Sequence, residues 1–375
     1  MKIGFDAKRA FCNATGLGNY SRMVIGGIAA AHPEDELLLF TPRREGRYAN
    51  HFRHYPNVRV VEPEGWLWRL MPALWRSLAI GKLVRREGVE VYHGLSHELP
   101  MGMPATVRQV VTMHDLIVWR YPRQYRLVDR LVYKRKMRSA CRRADKVVAV
   151  SAQTARDLQR FLEVPAAKVE VIYQSCDAQF YQPVDAAQRQ QVRTRYRLPS
   201  QYLICVGTIE QRKNQEAVMR AMALLPTDVS LVVVGRKTRY FRKVYDTVCR
   251  MHLEHRVLFL DNVQPGDLPA LYAEARASLY MSHFEGFGIP VLESLCCGTP
   301  VVAARRASLP EVGGNAALYA DPDNADDIAR QVKRLLTNPT LCEQLAEASQ
   351  QRAQSFAAPA IVEQFHALYA QLPEA

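Results

Sequence analysis

No apolar run in this sequence approaches the ~20 residues that a membrane-spanning helix needs. Its first ten residues, MKIGFDAKRA, place Asp6, Lys8 and Arg9 where a signal peptide would carry its apolar core, so they read as a first strand. The eight cysteines include no C-x-x-C pair; Cys296 and Cys297 are adjacent within a predicted helix. That pattern argues against a zinc site and a disulfide framework, and for a reducing compartment. Internal repeats and low-complexity segments are also missing. What remains is a chain of 375 residues, long enough for two cores.

The charge is one-sided. Residues 1–180 carry 29 Lys/Arg against 17 Asp/Glu, a net of +12, whereas residues 181–375 carry 21 against 20, a net of +1. One half is therefore expected to meet an anionic surface or ligand.

In the first half, β-prone runs alternate with helical patterns: Lys2–Asp6, Leu37–Thr41, Val58–Glu62, Val89–Gly94, Arg108–Met113, Lys146–Ser151 and Lys168–Tyr173. A polar stretch, Asp177–Leu198, reads as a linker. The alternation then restarts with Tyr202–Thr208, Ser230–Gly235, Arg256–Asp261, Ala277–Met281, Pro300–Ala303 and Ala317–Ala320. This predicts an α/β protein of two doubly wound, Rossmann-like domains, 1–180 and 181–355, with a last helix, 356–375, returning towards the first domain. Two such domains imply a cleft, with ligands at the carboxyl ends of the strands.

The chain is organised around His283 to Glu311, HFEGFGIPVLESLCCGTPVVAARRASLPE. It reads as a glycine loop, a helix with Pro290 near its start, a stop at Gly298, and a strand. The glycines allow close approach of a ligand, and the helix start attracts an anion. Glu285 and Glu293 flank that anion site. An acid/base pair is one reading of them; the preferred one has Glu293 accepting ribose hydroxyls and Glu285 meeting a sugar. Upstream, Arg212-Lys213 opens a helix that cations do not suit. Charge-assisted bonds to a phosphate, roughly 1.5–3 kcal/mol each, would outweigh that penalty. Gly16-Leu17-Gly18 opens the first helix as a G-x-G without a third glycine, a tight turn or a phosphate loop. His114 ends a strand and is read either as a sugar contact or as a structural histidine bonded to Asp115. Asp321-Pro322-Asp323 is a D-x-D, yet turn and N-cap chemistry explain it better, and no metal is expected there. Trp66–Arg86 interleaves three tryptophans with five basic residues, and Arg120–Arg143 carries ten Lys/Arg. Both suit an anionic membrane surface or an ordinary packed helix.

Taken in order, TGLGNYSR, VVTMHDL, ADKVVAVSAQTARDL, YLICVGTIEQRKN, LVVVGR, EGFGIPVLESLCCGTPVV and SLPEVGG resemble the retaining glycosyltransferases of family GT4, which have the GT-B fold. The resemblance implies a nucleotide-sugar donor, no cofactor and no metal. It implies that Arg212 and Lys213 hold the diphosphate and Glu293 the ribose. Glu285 and the backbone of Gly286, Phe287 and Gly288 would meet the donor sugar, and Val263 would lie beside the base. Gly16 and Gly18 would reach the diphosphate and His114 the sugar. Catalysis is assigned to His114, Glu285, Arg212 and Lys213. Tyr173-Gln174-Ser175 departs from the Pro-Asn-Gly turn common in the family, and Phe356-Ala357 stands near its usual tryptophan. The overall likeness suggests mannose from GDP-mannose, transferred to a lipid-linked glycan in O-antigen or capsule assembly at the cytoplasmic face of the inner membrane. A UDP-sugar donor is the alternative within the class. A non-catalytic membrane adaptor or a nucleic-acid-binding protein is the alternative outside it, and no recognition motif supports nucleic acid as a partner.

Overall fold

The five residues Glu36-Leu37-Leu38-Leu39-Phe40 show how the sequence builds its layers. Leu37 and Leu39 enter one apolar core, and Leu38 and Phe40 enter another. A strand covered on both faces needs such a continuous apolar run, and parallel sheets have that covering. In the computed structural model, which describes residues 1–44 and 46–372, thirteen strands form two wholly parallel sheets.

The chain divides into two units, Met1–Ser175 with Ala357–Ala375, and Cys176–Phe356. The first holds β1 (Lys2–Asp6), β2 (Glu36–Phe40), β3 (Val58–Val61), β4 (Val91–Gly94), β5 (Arg108–Met113), β6 (Lys146–Ala149) and β7 (Val169–Val171), in the order β3-β2-β1-β4-β5-β6-β7. The second holds β8 (Tyr202–Val206), β9 (Ser230–Val234), β10 (Val257–Leu260), β11 (Ala277–Tyr280), β12 (Val301–Ala304) and β13 (Ala317–Ala320), in the order β10-β9-β8-β11-β12-β13. Every strand expected from the sequence is present, its ends moved by at most two residues. In each sheet the winding reverses beside the first strand, between β1 and β4 and between β8 and β11. Such switch points are where open α/β sheets bind ligands.

The last helix, Ala358–Ala370, belongs to the first unit, where it packs on helix Gly16–Ala31. Gly27 makes this possible, because a Cβ there would stand 2.3 Å from a Val362 methyl. The expected segment 356–375 runs past Leu372 into residues outside those described.

Two readings are refined. Asp177–Leu198, read as a linker, is part of the second unit: Asp185 caps a helix, Ala186–Arg195, that packs on Leu268–Ala273 with Val192 fully buried. Trp66–Arg86 is not one amphipathic helix. Pro72 follows a break at Met71, and the chain continues through a wide π-turn, Trp75–Ala79, into Ile80–Glu87. The widened turn buries Trp75 and aims Arg76 at Asp6, while Trp66, Leu67, Leu70, Leu74 and Leu78 stay exposed. Helix Leu127–Arg143 likewise exposes Leu127, Val128, Leu131 and Val132. The loop at 99–101 bonds to both segments, through Ser77 on one side and Arg143 on the other. Among the described residues no helix is long and apolar enough to cross a membrane.

Candidate active site

The second unit gathers its charged residues at the β8/β11 switch point. After β8 the chain turns through Gln211–Lys213; after β11 it enters the loop holding Glu285. Glu285 Oε1 lies 2.7 Å from Arg212 Nη1 and 3.0 Å from Lys213 Nζ, and accepts the Tyr280 hydroxyl at 2.8 Å. Burial alone would raise this carboxyl, but Lys213 and Arg212 hold it down to about 2. Arg212 is fixed further by Phe284 O at 2.6 Å and Glu210 at 2.5 Å. Lys213 donates to the Tyr280 hydroxyl. Two cations thus share one partly buried carboxylate, with donors to spare for an anion.

The glycine loop is built for this position. Gly288 caps helix Ile289–Cys296 at φ +119°, a conformation open to glycine, and a Cβ there would meet a Leu309 methyl at 2.6 Å. Ser308 Oγ donates to the carbonyls of Glu285, at 2.9 Å, and Phe287, at 2.6 Å, pinning the loop from outside. Among the described residues no side chain caps the helix start, so its positive end stays available to an anion. Gly288→Ala is expected to cost about 1–3 kcal/mol through backbone strain, seen as a Tm fall of about 2–4 °C per kcal/mol. A wild-type Tm would show that the cap is not strained.

Glu293 lies one turn into that helix, partly buried, and accepts the Tyr272 hydroxyl at 3.0 Å. Burial raises its carboxyl to about 7, against the opposing pull of Tyr272 and Lys213. A carboxylate poised between its two states and recessed beside an anion site suits a ligand with paired hydroxyls.

The other expected site residues are more dispersed. Phe287 turns its ring into the core against Phe356, with centroids 5.5 Å apart, so only its backbone can serve a ligand. Val263 follows edge strand β10, two strands away from β8. In the first unit Gly16 and Gly18 are helical residues, not a preceding loop. Gly18 is needed for packing, because a Cβ would overlap Asn13 O at 1.9 Å, whereas Gly16 is open. His114 is buried at the end of β5 and donates Nε2–H to Leu95 O at 2.9 Å. Leu95 O is thus a partner that neither reading of His114 named, and Nδ1 is the ring atom left for a sugar contact. Burial, with His97 beside it, lowers His114 to about 3. A neutral ring whose Nδ1 can only accept is no general acid, so His114 can orient a hydroxyl but cannot protonate one. The D-x-D is a turn: Asp321 accepts Asp323 N–H at 3.1 Å, both acids face Arg306, and Asn324 is the residue that caps the next helix.

Tyr280, Tyr272, Ser308 and Glu210 were not anticipated. Tyr280 ends the apolar run before the loop and could have been suspected from its place at a strand's carboxyl end. Nothing local to the sequence marks Tyr272, 21 residues before Glu293.

Two parallel, doubly wound units with charge gathered at a switch point define the GT-B architecture. Solved structures agree along nearly the whole chain. Sucrose-phosphate synthase from Thermosynechococcus elongatus aligns with a TM-score of 0.79 at 22% identity, covering 99% of both chains. Anabaena HepE, solved with UDP and glucose, gives 0.75 at 19%, also covering 99% of both chains, and WaaG, a glycosyltransferase of lipopolysaccharide biosynthesis, gives 0.72 at 16% over 99% of this chain and 100% of WaaG. The families described as Glycosyltransferase Family 4 and Glycosyl transferases group 1 match residues 15–180 and 188–352. Among curated proteins, O-antigen chain mannosyltransferase B of Escherichia coli is 30% identical over 354 residues, covering 90% of this chain and 91% of that protein. The O-antigen chain mannosyltransferase RfbU of Salmonella typhimurium is 25% identical over 71% of this chain and 72% of its own. The chain belongs to the GT4 glycosyltransferases, and it is a glycosyltransferase. The alternative of a non-catalytic protein is thereby set aside.

Proposed function

We propose that the enzyme transfers mannose from GDP-mannose, with retention at the anomeric carbon, to a lipid-linked O-antigen-type glycan. The observation that carries the donor site is the pairing of Arg212 and Lys213 on Glu285 at the β8/β11 switch point, beside an uncapped helix start. Arg212, Lys213 and the helix end take the donor's diphosphate and stabilise the charge that develops as it leaves. They supply the positive charge that a metal would otherwise bring, and the proposed reaction uses none. Glu285 is held ionised by its two cations and meets the sugar hydroxyls as an acceptor. Glu293 accepts the ribose hydroxyls. No protein group is needed as base, because the departing phosphate oxygen takes the acceptor's proton. Gly16, Gly18 and His114 are given their donor contacts by family resemblance, and the neutral, accepting Nδ1 of His114 is compatible with a sugar hydroxyl.

Mannose rests on the curated relatives, both named as O-antigen mannosyltransferases. A UDP-sugar is the second reading, because HepE was solved with UDP and glucose. Release of nucleoside diphosphate from GDP-mannose, UDP-glucose and UDP-N-acetylglucosamine, in the presence of a lipid-linked acceptor, separates the two. Turnover is expected with GDP-mannose, and turnover with a UDP-sugar alone overturns that assignment.

The acceptor is proposed to be met at the inner face of the cytoplasmic membrane. The exposed apolar rows at Trp66–Leu78 and Leu127–Val132 lie in the basic unit, and the second is flanked along the chain by Arg123, Arg126, Arg130, Lys134 and Arg135. Apolar side chains next to cations suit an anionic bilayer surface, where each basic residue adds about 1 kcal/mol. Flotation with anionic vesicles is expected, weakened by salt and by Leu70→Ser with Leu131→Ser. Equal flotation with neutral vesicles would contradict the electrostatic part of this reading.

A further inference from the structure

We propose that His32, His366 and Glu34 bind one zinc-class divalent ion, clasping the last helix of the first unit to its first. Helix Gly16–Ala31 ends at His32, whose N–H bonds Ile28 O at 2.9 Å. Helix Ala358–Ala370 packs across it, brought close at Gly27 by Val362. His366 consequently lies flat on His32, with ring centroids 3.5 Å apart and planes within 3°.

Three carboxylates surround the stacked rings. His366 Nε2 is 2.9 Å from Asp35 Oδ2, and Asp35 is buried and also bonded to the Met1 amino group. His32 Nε2 is 3.2 Å from Glu363, and His32 Nδ1 is 3.4 Å from Glu34. Metal-bound histidines characteristically give their other N–H to a carboxylate, which fixes the tautomer. Asp35 and Glu363 can play that part here, which leaves Nδ1 of each ring as the ligand atom, that of His32 beside Glu34.

One ligand atom from each of His32, Glu34 and His366 lies within 4.8 Å of the other two. Zinc bonds of about 2.0–2.2 Å hold ligands no more than about 4.4 Å apart, and the lone pairs of stacked rings lie in parallel planes, so the two imidazoles must leave their stack and tilt towards each other to meet one ion. Two imidazoles and one carboxylate select zinc and its first-row neighbours over magnesium or calcium, which prefer all-oxygen sets. The negative end of a sixteen-residue helix adds a favourable field. The cluster sits at the amino ends of β1 and β2, the sheet edge opposite His114. It is thus independent of the donor chemistry proposed above.

The test uses tag-free, chelator-stripped full-length protein titrated with zinc chloride by calorimetry. One saturable zinc per chain is expected, with a raised Tm and no response to magnesium chloride. His32→Gln with His366→Gln should abolish it, and Glu34→Gln should weaken it at least tenfold. Because eight thiols are free, X-ray absorption of the wild-type zinc complex guards against misfolding of the variants. Nitrogen and oxygen neighbours at about 2.0–2.1 Å, including imidazole, support the clasp. A sulfur shell, wild-type binding by the double histidine variant, or no saturable binding overturns it.

Discussion

Lys213→Ala is expected to lower kcat about 10²–10³-fold, the effect of removing one preorganised donor to a developing charge, while Tm stays near the wild-type value. The two halves follow from the same contacts. Lys213 is spare as a structural element, since Arg212 and Tyr280 still hold Glu285 when it is gone. It is not spare for the donor, because it places a compact charge where the diphosphate is proposed to lie. Arg212→Ala makes the contrast. That change also removes the bonds to Phe284 O and Glu210, so it should lower both turnover and Tm. Steady-state kinetics and thermal melts on the pair decide the matter. Equal Tm losses in both variants, or normal turnover in Lys213→Ala, would remove Lys213 from its proposed role.

Glu293 carries the second large effect. Ribose hydroxyls donating to its carboxylate bind the ionised form, while burial holds the empty site's carboxyl at about 7. Binding of a nucleotide sugar should therefore release a proton near neutrality, and affinity should rise with pH from 6 to 8, by no more than about tenfold per unit below 7. Calorimetry in buffers of different ionisation enthalpy counts that proton. Glu293→Gln should abolish the pH dependence. Glu293→Ala should weaken binding about a hundredfold, for the loss of about 3 kcal/mol in two charge-assisted bonds. Stability moves the opposite way. The folded state binds this proton more tightly than the unfolded chain, whose value is near 4.5. Its contribution is therefore complete below about 4.5 and is lost as pH rises to about 7, a change of up to about 3 kcal/mol. Glu293→Gln should flatten that slope in thermal melts. Binding without proton release would show that the ribose does not rely on the carboxylate.

The sheets were legible because a parallel strand covered on both faces must be apolar along its length, as Glu36–Phe40 and Ser230–Val234 are. The glycine loop was legible for a similar reason: Gly288 and Gly298 sit at positive φ, where most residues would be strained. The acids and cations announced themselves by type and position. Their mutual neutralisation did not, because Glu285 and Arg212 are distant in sequence and meet only when β8 and β11 pair. The Leu95 O partner of His114 was not legible, because it is a backbone atom with no signature in the sequence. Trp66–Arg86 kept the periodicity of a helix, but burying Trp75 and pairing Arg76 with Asp6 favoured a widened turn over a straight one.

The proposed donor site requires a nucleotide diphosphate held at Arg212 and Lys213. Thermal melts of wild type and Lys213→Ala with GDP, UDP and ADP test it most directly. One nucleotide at a hundred times its dissociation constant should stabilise the wild type by about 2.7 kcal/mol, and the same concentration should leave Lys213→Ala nearly unshifted. No shift with any nucleotide, or an equal shift in the variant, would contradict it.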